Sequence, residues 1–184
     1  EDNAHTLEEI VSKSNSHKRY SKDTPKGLDW LLDNYHVVDA QIWQATVDLP
    51  ERTYHQLPRL AVGKLTGYAR ILAIAWYYLE HTDCHFTTQS FCHFITCYQH
   101  TEILNIAELW SLPSVMKIVL IENLRRLSKA QMDKHVAHNE ANSTADNVVA
   151  KTDNSAISSQ FTPPDLSHYS PSAHVVFLAQ LARR

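Results

Sequence analysis

Glycine is nearly missing from this chain. Only Gly27, Gly63 and Gly67 occur among 184 residues, and strand-like alternation is absent too, so the punctuation and the period of a sheet protein are both lacking. Long apolar runs are lacking as well: the uncharged stretch Ile71 to Leu79 falls far short of the roughly 18 to 20 residues needed to cross a bilayer. No membrane span is expected. Cysteine is scarce and odd in number, and Cys84, Cys92 and Cys97 make a poor disulfide framework that suits a reducing compartment. No Cys-x-x-Cys pair exists, and the five-residue step from Cys92 to Cys97 turns about 140° around a helix. Despite the neighbouring His81, His85, His93 and His100, no metal site is therefore expected. Excess positive charge is missing: 17 basic against 20 acidic residues give a net charge of -3, which argues against nucleic acid, because counterion release needs clustered Lys and Arg. No phosphate-cradling glycine loop and no recognisable catalytic set of carboxylates occurs, so no cofactor is expected. The start at Glu1, without an initiator Met or a secretion signal, suggests a piece of a longer product.

What is present is helical period. Apolar residues make up 43% of the chain, enough for a core. Residues 6 to 20 can form a helix capped by Thr6, with a thin apolar face. Thr24-Pro25 opens a second helix, in which Leu28, Leu31, Leu32, Tyr35, Val38, Ile42 and Leu49 share one face until Pro50 stops it. Glu51 to Leu57 reads as a single turn, Gly63 to Gly67 as a loop, and Tyr68 to His81 as a buried helix. Thr87 or Thr88 caps the next, with Phe91, Phe94, Ile95 and Tyr98 turned inward and an end near Thr101. Asn105 and Glu108 form a capping-box-like start to a long apolar run through Leu127, where Pro113 predicts a kink or break. From Lys129 to Thr152 the apolar stripe fades, so that tail is expected to be exposed or to pack on an absent partner. The expected fold is all-α: an irregular helical bundle of about six to seven helices, with one long helix near the C-terminal half. Its divisions are an N-terminal helix and linker (1–24), a helical core (25–152), a linker (153–170) and a short C-terminal helix (171–184).

Three blocks carry a family signature: Leu31-Leu32-Asp33-Asn34-Tyr35-His36, then Leu57-Pro58-Arg59-Leu60-Ala61 through Gly67-Tyr68-Ala69-Arg70 to Glu80-His81-Thr82-Asp83, then Glu108-Leu109-Trp110 leading into Ile121 to Leu127. Their order and spacing from Leu28 to Ser128 resemble the N-terminal region of the cyclic β-1,2-glucan synthases, large bacterial inner-membrane glucosyltransferases. The resemblance implies a non-catalytic domain on the cytoplasmic side of the inner membrane. Its partners would be the transferase and membrane domains of the same polypeptide, and a growing β-1,2-glucan in addition. The competing reading is a free-standing helical module that binds a protein partner.

Two residue sets follow. Asp33, His36, Tyr68, Arg70, His81 and Asp83 are candidates for a polar groove that holds glucan or a neighbouring domain. For His81 and Asp83, at the end of a buried helix, a structural capping role is preferred. Glu108, Glu122, Arg125 and Arg126 are candidates for an interdomain contact, set against intramolecular ion pairing, with Glu122 and Arg126 spaced i, i+4. Among the aromatic residues, Trp76 and Trp110 read as core, which leaves Trp43, Tyr54 and Trp30 as platforms on which a sugar ring can stack.

Overall fold

A computed structural model describes residues 2–18 and 25–154. Their order is α1 (Asp2–Lys18), α2 (Lys26–Asp48), α3 (Glu51–His55), α4 (Arg70–His81), α5 (Thr88–Gln99) and α6 (Ile106–Asn154). Among the described residues no strand forms, and β pairing is confined to one isolated antiparallel bridge, Arg59 with Ala69. The all-α expectation holds, and the long helix of the C-terminal half is α6, with 49 residues.

The chain divides into two compact units, Glu1–Glu8 with Asp33–Arg126 and Glu9–Leu32 with Leu127–Arg184. The core of the first is built on α4. Its Ile71, Ala73, Ile74, Ala75, Tyr78 and Leu79 are all buried, and all of these but Ala73 cluster with Leu49, Leu57, Ile95, Leu104, Val115, Met116 and Val119. A helix that is apolar almost all round must be surrounded. Tyr78 adds an aromatic knot, 4.9 Å from Phe91 and 5.4 Å from Phe94 between ring centroids.

Local chemistry explains the boundaries. Pro50 precedes α3 as its N-cap. α4 starts at Arg70 rather than Tyr68, because Tyr68 and Ala69 are held back by the loop: the Leu60 amide donates to the Tyr68 carbonyl at 3.0 Å, and the Gly67 amide to the Leu60 carbonyl at 2.9 Å. Gly67 sits at φ 85°, where only glycine is comfortable. The first amides of α4 then find distant partners, Arg70 N donating to Pro58 O at 2.7 Å and Ala69 N to the Tyr54 hydroxyl at 3.3 Å. Thr87 caps α5 by accepting the Ser90 amide at 3.2 Å.

Three expectations need correction. Thr6 lies inside α1, which begins earlier, at Asp2, so it is not the N-cap. Of the kink or break expected at Pro113, the break is absent, since Pro113 lies within α6; burial of Val115, Met116 and Val119 holds the helix through the position where an N–H is missing. The 129–152 tail does have a buried face within the second unit: Ser128, Met132, His135, Ala137 and Ala141 are all buried. In that unit Leu28 and Leu31 of α2 and Ile10 and Ser14 of α1 are buried too, and α2 approaches α6 so closely that a Cβ on Gly27 would stand 2.3 Å from Gln131 Oε1. The expected linker beyond Asn154 and the helix from Pro171 lie outside the described residues.

Candidate functional site

The strongest polar constellation gathers around Arg70, the first residue of α4, and Glu108, in the first turn of α6. Glu108 is fully buried. Arg70 Nε donates to Glu108 Oε1 at 2.9 Å and Arg70 Nη2 to Glu108 Oε2 at 2.6 Å, the bidentate fork that fits guanidinium to carboxylate. The capping box read from sequence is present in full: the Asn105 amide donates to Glu108 Oε2 at 3.0 Å, and the Glu108 amide to Asn105 Oδ1 at 2.8 Å. Arg70 also pairs with Glu102 and reaches the Ile103 carbonyl at 3.3 Å.

This geometry decides the charge states. Burial alone would push the Glu108 carboxyl up, but the Arg70 hydrogen bonds, the Asn105 amide and the Arg70 charge together hold it below its ordinary 4.5. The Glu108 hydrogen bonds raise Arg70 correspondingly, against the opposing effect of its own burial. A carboxylate so held is a poor proton acceptor near neutrality. The arrangement clamps the start of α4 to the start of α6.

The two predicted residue sets are redistributed. Arg70 and Glu108, placed in different sets, are each other's partners. α4 is 12 residues long, so at roughly 1.5 Å per residue Arg70 and His81 lie about 16 Å apart, at opposite ends of the helix. Asp83 follows His81 in a left-handed conformation, φ 49°, with Cys84 at φ 61°; the Cys84 amide closes the end of α4 on the Leu79 carbonyl at 2.8 Å. Asp83 does not cap α5, since Thr87 does. Asp33, His36, Tyr68, His81 and Asp83 are all exposed. In the second set, Glu122 pairs with Arg125 rather than Arg126, through bonds of 2.7 and 2.8 Å, and this raises the Arg125 guanidinium. Arg126 instead lies over the Trp76 ring, 5.4 Å from its centroid.

Among the tryptophans, Trp76 is partly buried against the core, as expected. Trp110 corrects the reading: it is 82% exposed, because Glu108, Ser111 and Val115 take the inward face of α6 and leave position 110 outside. Trp43 and Trp30 are exposed, whereas Tyr54 packs on the core. The three cysteines are free and exposed. Cys97 Sγ lies 3.6 Å from His93 Nε2, one turn back, and among the described residues no three His, Cys, Asp or Glu side chains gather as metal ligands. Sequence reasoning missed an open cleft of about 750 Å³ in the first unit, lined by Ala4, Ile42, Ala45, Leu49, Leu72 and Ile118 among others. Its lining is drawn from five helices, α1, α2, α3, α4 and α6, a convergence that no spacing in the sequence announces.

Over 125 residues, 68% of its length, the chain is 41% identical to "Cyclic beta-(1,2)-glucan synthase NdvB" of Rhizobium meliloti (strain 1021). The chain is similar to a cyclic β-1,2-glucan synthase. It covers 4% of the length of that relative, and the matched part is an N-terminal fragment of it. No family model matches the chain. Among the described residues, no helix is long and apolar enough to cross a membrane.

Proposed function

We propose that this chain is a non-catalytic N-terminal domain of a cyclic β-1,2-glucan synthase, whose parent polypeptide transfers glucose from a nucleotide-activated donor to a β-1,2-glucan and closes the ring. The 41% identity to the Rhizobium meliloti synthase over 125 residues carries this reading. The polar geometry supports it: the one fully buried carboxylate among the described residues, Glu108, is saturated by Arg70 and Asn105 and holds α4 and α6 together rather than facing a reactant.

In this reading the domain supports or regulates the transferase on the cytoplasmic side of the bacterial inner membrane, and it needs no cofactor of its own. The remainder of the same polypeptide is its partner. A glucan-guiding role rests on exposed ring faces, Trp43 at 65% and Tyr68 at 53%, which offer sugars a stacking surface. Two assays test the proposal. The complete reading frame, expressed in membranes, should make cyclic β-1,2-glucan from nucleotide-activated glucose, while the 184-residue chain alone should transfer none; a frame without synthase activity, or turnover by the short chain, overturns it. Titration of the chain with β-1,2-glucan oligomers should quench Trp fluorescence saturably in the parent sequence and less in Trp43→Ala, and no saturable change removes the guiding role.

A further inference from the structure

The first half of α6 is apolar on two sides. One side enters the core through Val115, Met116 and Val119. The other follows a strict four-three spacing: Ile106, Trp110, Pro113, Lys117, Leu120 and Leu124. That is the 3.5-residue period by which one helix presents a seam to another. Its leading residues are open to solvent, Ile106 at 75% and Trp110 at 82%, with Ile103 just before the helix at 80% and Leu120 further along at 37%. The single charge in the seam is already answered, since Lys117 Nζ lies 3.4 Å from Asp48 Oδ2.

We propose that this outer face of α6 is the docking seam for a helix supplied by another part of the same polypeptide. The inference rests on the proposed function. Three observations select the occupant. The matched relative is far longer, with all but 4% of its length outside the match, so abundant chain is at hand in such a protein. A second apolar stripe, left open on a helix whose other side already enters the core, is a face that a further element can cover, and the tryptophan within it is the residue type that anchors interfaces. A second copy paired in parallel and in register fits less well, because it would face Lys117 with Lys117 and Pro113 with Pro113.

The test uses the complete polypeptide in membranes, with the photoreactive substitution Trp110→p-benzoylphenylalanine and a control substitution at Val62, which is 80% exposed but lies in the α3–α4 loop. After illumination, digestion should yield position 110 joined to a peptide of the same polypeptide outside residues 1–184, at least tenfold more abundant than from position 62. A product joined to α6 of a second copy, a lipid adduct, or no product beyond the control overturns the seam. A complete polypeptide that lacks synthase activity fails the proposed function instead, so the two failures are distinguishable.

Discussion

Replacing Arg70 by methionine keeps the length of the aliphatic stem and removes the cation that answers a fully buried carboxylate. Glu108 loses hydrogen bonds at 2.9 and 2.6 Å and keeps the Asn105 amide at 3.0 Å. Removing one partner of a buried ion pair costs about 3 to 5 kcal/mol, and the surviving amide places this case near the lower end, about 3 kcal/mol. The exposed partner Glu102 adds little, because solvent screens it. With a urea m-value of roughly 1 to 3 kcal/mol/M, the unfolding midpoint followed by circular dichroism should fall by about 1 to 3 M.

The pH dependence of the same variant is the sharper discriminator. In the parent, Glu108 titrates below its ordinary 4.5, so its stabilisation is complete above about 4.5 and is lost as pH falls through the lower folded value. In Arg70→Met only the Asn105 amide still opposes burial, the largest effect on this group, and the carboxyl rises above 4.5. The penalty is then full at pH 7 and eases as pH falls towards 5. The parent should be flat from pH 7 to 5 while the variant gains stability over the same range. A loss under about 1 kcal/mol at pH 7, or parallel pH profiles, would refute the clamp.

Leu79→Ala empties a fully buried position of the α4 core and should cost about 2 to 5 kcal/mol in urea unfolding. Thr87→Ala removes the side chain that accepts the Ser90 amide at the head of α5 and should cost about 1 kcal/mol, with amide exchange in the first turn of α5 speeding up selectively. Pro113→Ala restores a helical N–H inside α6 at an exposed position and should stabilise the chain by about 1 kcal/mol or more, read as a higher thermal midpoint.

Much of this protein is written in local pattern. The scarcity of glycine and the three- and four-residue apolar steps dictate helices, Pro50 ends α2, Thr87 heads α5, and the Asn105–Glu108 pair opens α6. Each involves residues within one or two turns of each other, where backbone hydrogen bonding and side-chain period act without help from the rest of the chain. The resemblance to the cyclic glucan synthases was equally legible, since a signature is a property of order and spacing. Three-dimensional packing decided the rest. Arg70 and Glu108 lie 38 positions apart, so neither reveals that the other neutralises it. Trp110 looks like core by composition and is exposed, because buried Glu108 fixes which face of α6 turns inward. The buried face of the 128–141 segment carries Ser, His and Ala instead of Leu, and hydropathy alone could not mark it as packed. Local sequence sets what each segment becomes. Which faces lose water, and which charges must therefore find partners, is settled only when the helices meet.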